Sequence, residues 1–595
     1  MDRNTDNNFS LLPSANIQRS KFHRTQSVKF TFNVGEVIPF YVDEVLPGDT
    51  FQIKTSKMVR LQTPAVPFMD DLFLDTYYFF VPNRLIWDDW QKFQGENDSS
   101  SWTPSTTYQV PYIEFPTPGD AIVGPNSETK LDNKTIINQM DNLYFAPNSV
   151  ADYMGLPTAA QSVSKMASFT EPDFPLPLPS KNGGSPLAVN ALPFRAYCKI
   201  CNDWFRDENL SDPLFIDTSS NSAVGLWDNN STPQALVARY NKNPEPRLKS
   251  PLRGGAPFLA SKYHDYFTSA LPSPQKGADV TIPIDSNNGT PYYVSLEQGG
   301  SQYYIIRDSA TGALSTSTSS TNALQFGNIL ASGGLNITIN SLRLAFATQA
   351  QYERDARGGT RYTEIIRSNF GVVSPDARLQ RSEYLGGNHI PINVNQVVQQ
   401  SGSAGVTGSF LGDTGAYSAT TDSHGDFIQS FTEHGFVIGV CCVRYPHSYQ
   451  QGIERFWLRH NRFDYYMPAF ANIGEQPIYL QEIWPLNNSV WSEANTEYFG
   501  YQEAWADYRY KPNRVAGEMR SNIPNSLDFW HLADNYADRP YLSNAWIRED
   551  KSNVDRVLTV SSKVSNQLLA DFYIDNISTR PIPMYSIPAT LGDNF

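Results

Sequence analysis

Four cysteines in 595 residues, Cys198, Cys201, Cys441 and Cys442, are too few to staple a chain of this length, so its stability must come from a packed core. Basic charge is also scarce. With 46 Lys and Arg against 60 Asp and Glu, a net charge of −14, the chain cannot by itself wrap nucleic acid over its whole surface, because phosphate neutralisation needs a cationic face. Long apolar runs are missing. The longest, residues 436–443 (FVIGVCCV), is less than half of a membrane span and reads as a buried strand. Residues 1–10 are polar, without the charged-then-apolar pattern of a signal peptide, so export by that route and membrane insertion are not expected. The strings GxxxxGK[ST], HExxH and GxSxG do not occur, which removes the commonest sequence grounds for ATP-driven work, zinc proteolysis and a hydrolase nucleophile elbow.

What the chain has in quantity is aromatic and turn-forming residues: 32 Tyr, 34 Phe, 41 Pro and 37 Gly. That mixture favours short strands joined by many turns over long helices. SVKFTFNV from Ser27 alternates apolar and polar residues, Pro47-Gly48-Asp49 makes a turn, and FQIKT resumes the alternation. Residues 72–81 (LFLDTYYFFV) are apolar on both faces and closed by Pro82-Asn83, as expected of a strand covered on both sides. Strands return at 435–445 and 568–574. Between these ends lie irregular tracts. Residues 97–220 are rich in Pro, Ser, Thr and Asn, with helix-like pieces at 130–142 and 192–209. Residues 279–340 are Ser/Thr/Gly/Asn-rich and nearly free of charge, the composition of a projecting insertion, and 401–422 reads as another such loop. The strongest helix pattern is 342–358, stopped by Gly358-Gly359. Early and late strands closing one sandwich around long loops describe an all-β chain, and jelly rolls suit that description.

Several clusters invite a chemical reading. Cys198-Lys-Ile-Cys201, with Cys441, Cys442, His434 and His447, offers metal-ligand types, but neighbours on a strand face opposite ways, so Cys441 and Cys442 would not chelate one ion. Asp88-Asp89 are adjacent carboxylates, whereas an acid/base pair must converge on one bond. His264-Asp265, and Asp422, His424 and Asp426, could be base-and-orienter sets, though no nucleophile accompanies either. Arg354, Arg357, Arg361 and Arg367, interleaved with Tyr352, Tyr362 and Phe370, have the composition of a phosphate-contacting surface, yet Glu353, Asp355 and Glu364 equally suit an internal salt-bridge network. No catalytic, cofactor or metal site is expected. The first thirty residues hold Arg3, Arg19, Lys21, His23, Arg24 and Lys29 against Asp2 and Asp6, a basic arm that is either solvated, laid over a neighbour, or in touch with phosphate.

Six long strings, FNVGEVIPFYVDEVLPGDTF, FVPNRLIWDDWQKFQGE, ALPFRAYCKICNDWFRDENL, YHDYFTSALPSPQKG, ERDARGGTRYTEIIRSNFGV with the following PDARLQRSEYLGG, and FYIDNISTRPIPMYSIP, resemble the major capsid proteins of microviruses, in particular the gokushovirus branch; they run from about residue 30 to 590. The resemblance implies a structural protein of a bacteriophage virion, not an enzyme. Its fold would be an eight-stranded viral jelly roll, a β-sandwich with long loop insertions and a few short helices. Sixty copies would form a T=1 icosahedral shell around circular single-stranded DNA, assembled in the bacterial host cytoplasm. The layout expected on this basis is a basic arm over residues 1–27 and one jelly-roll domain over 28–595, with 279–340 as a protrusion at the three-fold axes. That protrusion would meet a host surface receptor, with Tyr292, Tyr293, Tyr303 and Tyr304 as its candidate contacts. Scaffolding and minor or pilot proteins are implied as partners. Acidic subunits around a polyanion further require local basic charge, hence a small basic internal DNA-binding protein, with Arg19, Lys21 and Arg24 as the coat's own DNA-facing candidates.

Overall fold

The structure, a computed structural model, describes residues 18–96, 108–114, 148–156, 188–214, 216, 218, 251–277, 295–298, 301–307, 314–317, 339–358, 361–373, 380–398, 414–484 and 497–585. Eight strands make two walls: β1 (Ser20–Phe32), β2 (Glu36–Val45), β3 (Thr50–Leu61), β4 (Leu72–Pro82), β5 (Glu383–Ile392), β6 (Thr420–Ser430), β7 (Gly435–Arg444) and β8 (Leu568–Arg580). The first sheet runs β1-β8-β3-β6 and the second β5-β4-β7-β2, the latter extended by the short strand Phe258–Leu259. All these neighbours are antiparallel. Strand 1 therefore pairs with 8, 2 with 7, 3 with 6 and 4 with 5. A long antiparallel ribbon rolled over on itself gives that order, the double Greek key of a jelly roll.

Side-chain period explains the walls. β3 alternates so that Phe51, Ile53, Val59 and Leu61 face inward while Gln52, Lys54 and Arg60 are exposed. In β4, Leu72, Leu74, Tyr78 and Phe80 join the core between the sheets, and Phe79 and Val81 join a second core on the far side of the sheet. β7 does the same: Val437, Cys441 and Val443 face the first core, and Phe436, Ile438, Val440 and Cys442 the second. Gly439 allows the close approach this needs, since a Cβ there would lie 2.8 Å from the Tyr78 ring. The second core is closed by α1 (Leu192–Ile200) and a π turn, Cys201–Phe205. Phe194, Tyr197, Ile200, Cys201 and Phe205 are buried there, and the Tyr197 hydroxyl donates to the Val37 carbonyl at 2.7 Å. The expected helix over 192–209 is thus shorter and changes pitch at its end.

The structure adds to the sequence reading in three places. Residues 20–27, placed in the arm, pair with β8 from Ser20 opposite Arg580 onward, because edge pairing uses backbone and tolerates polar side chains. The tract 401–422, expected to be a loop, contains Thr414–Ser418, paired with Val394–Val398, and the start of β6. Its polar inward positions, Thr420 among them, hid the alternation. β5 was not expected at all. The expected helix at 130–142 lies outside the described residues.

Residues Ser273–Gly371 form a second compact unit. It contains an antiparallel ribbon of Ser295–Gln298, Ser301–Arg307 and Leu314–Ser317, and two helices, α2 (Ile339–Arg357) and α3 (Tyr362–Phe370). α3 stops at Gly371, whose φ of 68° a side chain would resist.

Candidate functional site

None of the residue sets singled out in the sequence converges on a reaction centre. Asp88 accepts from the Thr218 hydroxyl at 2.9 Å, while Asp89 precedes the helical turn Trp90–Phe93 and lies 3.6 Å from Lys92. Asp265 caps its own turn, taking the amides of Phe267 and Thr268 at 2.9 and 2.8 Å and the Tyr449 hydroxyl at 2.6 Å; His264 beside it is exposed. Cys198 and Cys201 sit in the second core with Cys442, and Cys441 faces the first; burial raises the pKa of all four thiols. Among the described residues no group of three metal-ligating side chains is placed to hold an ion. Of the arginine cluster, Arg361 lies 3.6 Å from Glu364 on α3.

On β6 the three polar residues separate. A bulge between Gly425 and Phe427 turns Asp426 into the sandwich, where it accepts from the Thr55 hydroxyl at 2.5 Å and burial raises its pKa. Asp422 takes the Asn388 amide at 2.7 Å, and His424 stays exposed. Opposite Asp422 is Lys57, whose side chain is 0% exposed; its ammonium donates to Thr76 Oγ1 at 2.7 Å and lies 3.8 Å from Asp422, and burial lowers its pKa. The sequence held the signal: Phe51, Ile53, Thr55, Lys57 and Val59 alternate, so Lys57 shares the inward face.

A second buried cluster left no sequence signal, because its members come from four distant segments. His447 Nδ1 is 2.9 Å from Asp534 and Nε2 is 3.0 Å from Glu549, while Lys262 lies 3.4 Å from Asp534. Tyr536 and Asn553 each add a 2.7 Å bond to Asp534. Burial alone would lower the His447 pKa, but the two carboxylates outweigh it and raise it to about 9. Burial likewise opposes the Asp534 charge, yet His447 and Lys262 hold its carboxyl well below the usual range. The order Asp-His-Glu suggests catalysis on paper. All four ionic side chains are 0–5% exposed, so no substrate reaches them, and two cations balance two anions as a structural tie.

The functional features that remain are surfaces. Arg19 and Lys21 are exposed at the start of β1, with the Arg19 guanidinium over Gly48. Arg24 forks onto Asp43 at 2.5 and 2.9 Å, and Lys29 lies 3.2 Å from Asp571. Tyr303 and Tyr304 lie on the strand Ser301–Arg307, opposite Leu296 and Ser295; Tyr292 and Tyr293 lie outside the described residues. A fold of two walls, long loops and charge-paired faces suits several kinds of protein. Comparison with known proteins decides which kind. The family described as capsid protein (F protein) matches residues 10–147 and 178–590. The chain belongs to this capsid protein family. The capsid protein VP1 of Spiroplasma virus 4 is 37% identical over 605 residues, covering 98% of this chain and 97% of that one. Capsid protein VP1 of Bdellovibrio phage phiMH2K is 35% identical with 99% of both covered, and that of Chlamydia phage 1 is 34% identical with 98% and 97% covered. The chain is accordingly a structural protein of a microvirus virion rather than an enzyme, and its sandwich is a capsid jelly roll.

Proposed function

We propose that this coat protein self-associates into a T=1 icosahedral shell of sixty copies enclosing circular single-stranded DNA. The observation that carries the reading is the match to capsid proteins over nearly the whole chain, joined to the eight-stranded jelly roll. Residues 1–27 act as the arm, of which 20–27 also pair with β8. Within it Arg19, Lys21 and Arg24 face the DNA, Arg24 through a guanidinium that also holds Asp43. The pairing of Arg24 and Lys29 with carboxylates leaves little free positive charge on a chain of net charge −14, which supports a small basic internal protein as the main neutraliser of the genome. Residues 279–340 are the protrusion that meets a host receptor, with Tyr292, Tyr293, Tyr303 and Tyr304 as contacts. Assembly in the host cytoplasm uses a scaffolding protein, and a minor or pilot protein completes the particle. The test is microscopy of gradient-purified particles from cells making the chain, with assay of nuclease-protected DNA in the same fraction. Small icosahedra holding single-stranded DNA are expected; a soluble monomer in productively infected cells would overturn the reading.

A further inference from the structure

The helices of the Ser273–Gly371 unit sort their charges by exposure. Within 339–371 the acids are Glu353, Asp355 and Glu364, and all three are half-buried and bonded inside the unit. Glu353 accepts from the Gln349 amide at 2.9 Å, Asp355 from the Gln351 amide at 2.8 Å, and Glu364 from the Arg361 backbone N–H at 3.3 Å. Arg343, Arg354, Arg357 and Arg367 are exposed instead. On α2 the first three fall at i, i+11 and i+14, one stripe along the helix about 21 Å long. Large apolar side chains share these helices: Leu344 and Phe346 on α2, and Tyr362 and Phe370 on α3, are 67–76% exposed. The surface is preformed, because the Gln351 amide also donates to Asn369 at 3.0 Å and a Cβ at Gly358 would lie 2.6 Å from Ser368 Oγ, so the two helices are seated closely. Exposed apolar side chains among arginines mark a contact surface, since aromatics and Arg are what interfaces enrich.

Charge names the partner. The Ser273–Gly371 unit holds seven Lys and Arg and seven Asp and Glu, so the whole net charge of −14 falls on the rest of the chain. The larger units of neighbouring copies therefore repel each other. A face whose exposed charges are all cationic is complementary to such a unit, and in a shell the neighbour's larger unit is the acidic surface within reach. Single-stranded DNA would meet the arginines too, but it engages apolar surface by stacking bases on rings. Leu344 offers no ring, and the unit is the one whose residues 279–340 are proposed above to face the host, away from the genome. We infer that α2 and α3 dock on the acidic larger unit of a second copy of this chain. The inference rests on the shell proposed above and names a contact that offsets repulsion between its subunits.

The test uses the full chain in cells where wild-type particles form. Arg343→Glu, Arg354→Glu and Arg367→Glu, all at exposed positions, are combined, and particle yield is read by sedimentation alongside near-ultraviolet dichroism of the unassembled protein. Folded subunits with particle yield reduced more than about tenfold are expected, because the reversal sets like charges face to face. Normal yield overturns the inference, including normal particles that no longer bind the host, which would turn the face toward the receptor. A photoreactive phenylalanine analogue at Phe346, in otherwise wild-type particles, gives a reading independent of how the triple variant folds. Crosslinks from that position to the larger unit of a second chain, seen as dimers on a denaturing gel and mapped by peptide mass, support the docking. Absence of dimers, or crosslinks to the second copy's Ser273–Gly371 unit, to DNA or to a smaller protein, overturns it. If wild-type chains form no particles, the coat reading itself fails, a result distinct from either outcome.

Discussion

The two sheets of the sandwich share a core and little else. The β1-β8-β3-β6 wall is mainly apolar on its inner face, around the buried Thr55, Lys57 and Asp426, and polar outside, where Lys29 meets Asp571 and Ser56 meets Ser423 at 2.9 Å. The β5-β4-β7-β2 wall is covered on both faces over its centre, with Phe79, Val81, Ile438 and Cys442 as well buried outside as Leu74 and Val437 are inside. Antiparallel sheets tolerate one wet face, so the first wall is the ordinary case. The second wall shows how a coat subunit of this size gains stability: loops between strands return to build a second core on the back of the sheet.

The comparison is sharpest for side chains pointing away from the shared core. Phe79→Ala, on the outer face of β4, is expected to cost about 3–5 kcal/mol in chemical denaturation, as much as an inward Phe51→Ala. Tyr573→Ala on the open face of β8 should stay within about 1 kcal/mol. Equal losses at Phe79 and Tyr573 would break the distinction. Next in size is the ionic tie at His447. Its folded pKa of about 9 lies above the unfolded value of about 6.5, so its stabilisation is complete below the unfolded value and is lost as pH rises through the folded one. A loss on the order of 3 kcal/mol between pH 6.5 and 10, absent from His447→Gln, is the expected difference between the two melting series. Third, Lys57→Met in the first wall leaves Asp426 without its buried cation and should cost about 1–3 kcal/mol at pH 7. The cost should shrink as pH falls, because burial makes Asp426 take up a proton more readily than an exposed carboxylate; a cost independent of pH would separate the two groups. Smallest is Lys29→Ala on the open face, whose exposed ion pair with Asp571 should contribute less than about 0.5 kcal/mol, and nothing at high salt.

The same contrast explains what was legible in the sequence. β4 and β7 announced themselves as unbroken apolar runs because both faces are buried, and β3 because one face is. β6 did not, since its bulge and its inward Thr420 and Asp426 break the alternation. β5 was hidden by Gly386-Gly387, which interrupts any strand pattern; a Cβ at Gly387 would fall 2.1 Å from the Thr76 carbonyl, so glycine there serves close strand packing. Long strings resembling microvirus coat proteins carried the family, whereas no local spacing could bring Lys262, His447, Asp534 and Glu549 together.

The place of β8 sets a clock for the molecule. β8, the latest in sequence among the described strands, enters the interior of its wall, between β1 and β3, with thirteen residues in register against β1. Until it emerges from the ribosome the wall has a gap flanked by two open edges, and the early strands must wait beside an empty slot. The wall is thus keyed from the middle: two strands adjacent in neither sequence nor space are locked together only when a remote segment slides between them.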